Sequence, residues 1–149
     1  MRKTKFNLQV IIVLFTILAL IFPSAAQSVL AQNIPQPETV TIAGTMQSEL
    51  GCDGDWMPSC AITNLTFDAN SGIWKGTFEV TPGNDQDKKG PRYKVALNGS
   101  WDENYGMNAK QGGADIPLVV DQPTMVTFYY DHKTHVITDD YNTPIIVAV

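Results

Sequence analysis

Little in this 149-residue chain could hold a metal, cross a membrane or grip a polyanion. It has two histidines and two cysteines, and two cysteines with neither a nearby histidine nor a second pair make a poor zinc site. Its longest apolar run, from about Val10 to Phe22, is short of the ~20 residues that a membrane-spanning helix needs. No segment keeps a sustained helical period, which argues against a helical domain. Basic residues are scarce too, and three of the ten Lys and Arg (Arg2, Lys3 and Lys5) stand ahead of the apolar run.

A basic start, a short apolar run and small residues at Ser24, Ala25, Ala26 and again up to Ala31 compose a secretory signal peptide. Cleavage is expected after Ala31, with Ala26 as the other candidate. Residues 1–31 are then the leader, 32–37 a linker and 38–140 one modest domain, with 141–149 a C-terminal strand or the start of a further segment. Processing removes three cations and no acid, so seven Lys and Arg face 15 Asp and Glu, a net charge of −8. A surface that acidic repels phosphate backbones and anionic lipid. Nucleic acid and, after cleavage, membrane are disfavoured as partners, while a neutral polymer or small sugar stays open. The expected product is a secreted monomer.

Cys52 and Cys60 stand in G-C-D-G-D-W-M-P-S-C and read as a disulfide in an exported protein. Around them the periodicity is that of strands. Thr39 to Gly44 alternates; Ile62 to Phe67 alternates, turns at Asn70, Ser71 and Gly72, and resumes from Ile73 to Val80 as a hairpin partner. Arg92 to Leu97 and Ile116 to Val120 are further strands, and Thr124 to Tyr130 pairs with Thr134 to Thr138 across Asp131, His132 and Lys133. Seven or so short strands with Gly and Pro turns predict an all-β fold, an antiparallel β-sandwich.

The segment Y-K-V-A-L-N-G-S-W-D-E-N-Y-G, residues 93 to 106, is the most informative for function. A strand runs into a Gly-containing turn, and past the turn stand Trp101, Asp102, Glu103, Asn104 and Tyr105. Sugars pack their C–H faces on indole rings and exchange hydrogen bonds with Asp, Asn and Lys, so the cluster suits them. Trp101 could instead close the end of a core, but Asp102, Glu103 and Asn104 would be costly neighbours there. Tyr105 reads as a third stacking ring or as a turn-packing residue.

Other polar clusters point more weakly. Asp102 and Glu103 are adjacent on a strand and face opposite ways, whereas a retaining glycosidase needs two carboxylates converging across ~5 Å, so no catalytic residue is assigned. Asp131, His132 and His135 bracket a hairpin turn, which argues against a metal cluster, and Asn84, Asp85 and Asp87 lack the Glu that completes a calcium loop and read as a solvated loop tip; no metal and no cofactor is expected.

The segments L-G-C-D-G-D-W (50 to 56), V-A-L-N-G-S-W-D-E-N-Y-G (95 to 106), G-G-A-D-I-P-L (112 to 118) and V-T-F-Y-Y-D-H-K-T-H (126 to 135) together resemble the starch-binding β-sandwich module of secreted bacterial pullulanases and amylopullulanases. That resemblance spans about Glu38 to Asp140. It implies an immunoglobulin-like carbohydrate-binding module that recognises α-glucans such as starch, pullulan and maltooligosaccharides as an accessory to a catalytic domain. A more distant likeness to glycogen-binding modules implies the contacts: Trp56 and Trp101 as the platform, Lys94 in the preceding strand, and Asp115, with Asn104 supplying a donor that an Asp cannot. Asp102 and Tyr105 complete the expected ligand set.

The tail P-I-I-V-A-V resembles the strand that opens a following module in pullulanases with tandem repeats. A β-sandwich that binds protein through its aromatics is the rival function. Exposed, coplanar Trp56 and Trp101 rings favour sugar, and a broad apolar patch on a sheet face favours protein.

Overall fold

In a computed structural model of the chain, residues 34–83 and 90–142 are described. Residues 1–33 (which include the expected leader), the 84–89 stretch with Asn84, Asp85 and Asp87, and the tail from 143 lie outside the described residues. Apolar alternation pairs into eight strands among those residues: β1 (Val40–Gly44), β2 (Thr66–Asp68), β3 (Ile73–Val80), β4 (Arg92–Leu97), β5 (Ser100–Tyr105), β6 (Ile116–Pro117), β7 (Thr124–Asp131) and β8 (Val136–Asp139). One sheet has the order β1-β4-β5, with β6 beside the start of β4; the other has β2-β3-β7-β8. Every pairing is antiparallel. The two inner faces form the core of the expected all-β sandwich.

β4 is where the core and the outer surface meet. Successive side chains of a strand face opposite ways, so Tyr93, Val95 and Leu97 are buried while Arg92 and Lys94 are half-exposed. The Tyr93 ring meets Phe128 of the other sheet edge to face, centroids 4.9 Å apart and planes at 81°. Its hydroxyl donates to Asp139 Oδ2 at 2.7 Å. Asp139 is 2% exposed, and its carboxylate also accepts from the Tyr141 and Asn142 amides and from Asn142 Nδ2. Burial first, then the Asp139 charge, pushes the Tyr93 phenol far above the ordinary tyrosine value.

The edge of β1 is covered. Leu65 N–H donates to Val40 O at 2.7 Å, and Thr41 Oγ1 donates to Asn64 Oδ1 at 2.7 Å, so the chain returning toward β2 satisfies polar groups an edge strand would leave open. That contact shortens the strand expected at Ile62 to Phe67: Ala61–Thr63 forms a 3-10 turn, and regular pairing begins only at Thr66. The strand expected at Ile116 to Val120 likewise pairs only at Ile116 and Pro117, because β4 offers it only Arg92 and Tyr93 as partners.

The β7–β8 hairpin stores a chain of rings. His135 stacks on Tyr105 at 4.0 Å with planes 7° apart, and its two nitrogens meet the hydroxyls of Tyr130 (3.0 Å) and Tyr105 (3.3 Å). Burial, followed by the neighbouring His132, holds the His135 imidazole below its ordinary range. The folded chain therefore resists a proton that the unfolded chain takes near pH 6.5, and stability rises with pH across the window just below that value.

Two measurements check these contacts. Tyr93→Phe leaves the buried Asp139 carboxylate short of a donor and is expected to cost about 1–3 kcal/mol in urea unfolding. His135→Gln is expected to flatten the fall in urea midpoint between neutral pH and pH 5, as judged against the wild type.

Candidate tryptophan groove

The pleat of β4 sets Arg92 and Lys94 on the outer face of the first sheet, two residues apart. Asn98 and Gly99 follow, both at positive φ (53° and 69°), the tight hairpin that an Asn-Gly pair favours. Leu97 pairs with Ser100 across this turn, yet the next rung joins Ala96 to Asn104. Trp101, Asp102 and Glu103 are thus left over in a bulge, and Trp101 stands 38% exposed. Asn104 Nδ2 closes the bulge by donating to Trp101 O at 2.8 Å, and Asp102 N–H donates to Ser100 Oγ at 3.1 Å.

Trp56 arrives from the loop between β1 and β2. The disulfide Cys52–Cys60 closes that loop with Cα atoms 6.0 Å apart, and Trp56 stands midway along it. The Trp56 backbone is left-handed, φ 58°, a conformation that costs a non-glycine residue roughly 1–2 kcal/mol. It is offset by hydrogen bonds on both sides. Trp56 N–H donates to Gly44 O at 3.2 Å. Met57 N–H donates to Gln47 Oε1 at 2.7 Å, and Gln47 Nε2 donates to Met57 O and to Thr63 Oγ1, both at 2.9 Å.

Trp56, Arg92, Lys94, Trp101 and Asp115 line an open groove of about 430 Å³. The two indoles are 6.5 Å apart between centroids and tilted by 40°, so they form a bent platform, not the coplanar pair expected. The tilt follows from their supports: one ring hangs from a bulge and the other from a left-handed loop residue. The Arg92 guanidinium lies 5.7 Å from the Trp56 ring centre, a cation–π contact, and its Nε is 3.4 Å from Asp115 Oδ2. Asp115 reaches this position because it directly precedes β6, which pairs with the start of β4.

Four of the seven expected ligand residues thus converge: Trp56, Lys94, Trp101 and Asp115. Three do not line the groove. Tyr105 is 6% exposed, stacked on His135 and donating its hydroxyl to Glu103 Oε1 at 2.9 Å, so it is a packing ring and not a third platform. Burial and the Glu103 carboxylate push its phenol up to about 12. Asp102 is exposed at the bulge, and Asn104 directs its amide to the Trp101 carbonyl. The bulge is the cause: it leaves Trp101 unpaired while Tyr105 returns to register opposite Val95, so residues expected to act together as one cluster do not share the groove. Arg92 was missed, although its spacing from Lys94 on an alternating strand put it on the same face. Gln47, fully buried, was also missed, and no periodic or motif signal marks it.

The loop chemistry yields a prediction. Free-thiol titration of the native protein is expected to find none, and reduction to lower stability by up to about 2.6 kcal/mol, the chain-entropy value for so short a loop.

The chain matches the family model described as the Pullulanase X25 domain over residues 39–137. It is 37% identical to an amylopullulanase of Thermoanaerobacter thermohydrosulfuricus over 112 residues, 75% of this chain and 7% of that protein. An amylopullulanase of Thermoanaerobacterium thermosulfurigenes is 36% identical over 108 residues, 72% of this chain and 5% of that one. Among solved structures, a pullulanase from Bacillus acidopullulyticus superposes with a TM-score of 0.61 at 26% identity, covering 76% of this chain and 13% of that chain. The chain therefore spans only a short part of these large relatives. With the match covering most of its length, it belongs to the Pullulanase X25 domain family.

Proposed function

We propose that the chain is a secreted, non-catalytic module that binds α-glucans (starch, pullulan and maltooligosaccharides) and holds a pullulanase-type enzyme on its polymer. The groove carries this reading: two partly exposed indoles beside Lys94, Arg92 and Asp115 offer apolar faces to sugar rings, and donors and an acceptor to hydroxyls. A bent platform suits the curved α-1,4-linked chain better than a flat β-1,4-linked ribbon. The match to a small part of pullulanases supports an accessory role, and the Cys52–Cys60 bridge agrees with export. Lack of catalysis is supported by the adjacent carboxylates next to Trp101 in sequence, neither of which lines the groove: Asp102 is exposed on the bulge, and Glu103 accepts from Tyr105. A glycosidase needs two carboxylates converging on one bond within a cleft.

Affinity electrophoresis in gels containing soluble starch or pullulan tests the reading, with a dissociation constant of about 10 μM to 1 mM expected for so open a groove. Unretarded migration in both gels sinks it. Trp56→Ala and Trp101→Ala are each expected to weaken binding at least about tenfold, ~1.4 kcal/mol, with a nearly unchanged melting temperature. The purified chain is expected to release no reducing sugar from pullulan; release abolished by Glu103→Gln overturns the non-catalytic assignment.

A further inference from the structure

We propose that Gln47 and Asn104 are the positioning residues of the tryptophan pair: each side-chain amide holds main chain at or beside one indole, setting their mutual tilt before any ligand arrives. Its affinity limb rests on the glucan-binding reading above; its spectroscopic limb does not.

Gln47 is 0% exposed, and a buried amide is retained only where its hydrogen bonds are met. Here they are all met. Oε1 accepts from Met57 N–H and, at 3.3 Å, from Gly44 N–H; Nε2 donates to Met57 O and Thr63 Oγ1. Taking both main-chain groups of Met57, the side chain acts as a missing strand rung and fastens Trp56–Met57 to the end of β1. The adjoining rung is Trp56 N–H to Gly44 O. Trp56 is thereby kept left-handed. The disulfide constrains the same loop from Cys52 and Cys60, each four residues from Trp56, and so limits the path of the loop without dictating the backbone at the indole. A leucine would fill the volume of Gln47 and leave the Met57 amide without its 2.7 Å acceptor, which is why the amide, and not its bulk, is the required part.

Asn104 does the corresponding work for Trp101. Its Nδ2 donates to the Trp101 carbonyl across the three-residue bulge, and its buried Oδ1 has no hydrogen-bond partner among the described residues. The side chain is turned to the bulge and not to the groove. Two amides of different length, from two unrelated segments, therefore hold the two rings. Rings fixed in advance lose less freedom on binding, so affinity depends on residues that touch no sugar.

The amide-to-acid variants Gln47→Glu and Asn104→Asp keep shape and remove the N–H donors. Two indoles 6.5 Å apart at 40° couple their electronic transitions, giving a circular-dichroism couplet in the absence of ligand. Trp101→Phe assigns that couplet by abolishing it. Each acid variant is expected to lose roughly half the couplet or more and to bind maltoheptaose about tenfold more weakly, since positioning and affinity are lost together. Acidification, which protonates the new carboxyl group and returns one donor, is expected to restore part of the couplet. Where Gln47→Glu does not fold, Gln47→Met, uncharged and of similar length, takes its place. Folded Gln47→Met and Asn104→Asp proteins with a wild-type couplet, even at a lowered melting temperature, overturn the assignment. If the wild type binds no maltoheptaose, the glucan reading fails, and the couplet alone still decides the role of the two amides.

Discussion

The pleat of β4 is the constraint on which both the core and the groove depend. A strand cannot turn one side chain without turning the next, so the residues that anchor the sandwich (Tyr93, Val95 and Leu97) dictate where Arg92 and Lys94 stand. β4 is held from both sides: β1 pairs with it from Tyr93 to Leu97, while β6 and β5 share its other edge. A one-residue slip would carry Lys94 into the core against Phe128 and expose Tyr93. The edge-to-face contact of Tyr93 with Phe128 and its hydrogen bond to Asp139 oppose that slip, and so indirectly keep the groove cations in place.

What β4 leaves undecided is settled by irregular backbone. The groove needs large rings on a surface where regular pairing would lay them flat or bury them, and the chain places them with a bulge on β5 and a left-handed residue in the β1–β2 loop. Both departures carry conformational cost, and at both a side-chain amide hydrogen-bonds to the main chain. The cost is borne where the two indoles line the groove. The Arg92–Asp115 pair adds a charged floor: a half-buried guanidinium lies under one indole with a carboxylate beside it, and Lys94 stands at the same groove.

Much of this was legible in the residues. Alternation located β1, β3, β4, β7 and β8, because each presents one apolar face to a single core. The Gly-containing turn before Trp101 was expected, and it is formed by Asn98 and Gly99, one of the few dipeptides that take positive φ twice. Trp56, Lys94, Trp101 and Asp115 were recognisable through motif resemblance, and they do line one groove. Tyr105, Asp102 and Asn104 were grouped with them because nearness in sequence was taken for nearness in space. The bulge separates them: Trp101 swings out, while Tyr105 returns to register opposite Val95 and enters the core. Gln47 was illegible because a buried amide has no pattern of its own; its meaning lies in Met57 and Thr63, ten and sixteen residues away.

The sequence by itself determined the layers, the disulfide and the residue types available to the groove, because apolar alternation, closely spaced paired cysteines and turn chemistry act over a few neighbouring residues. Only the tertiary structure decided which of those side chains share a surface and at what angle. The tilt of the indoles and the Arg92–Asp115 pair depend on contacts between segments tens of residues apart, whose relative placement is set by sheet register and packing. The two amide clamps join nearer residues, but they form only once the loop and the bulge have folded back on themselves, which no local spacing encodes.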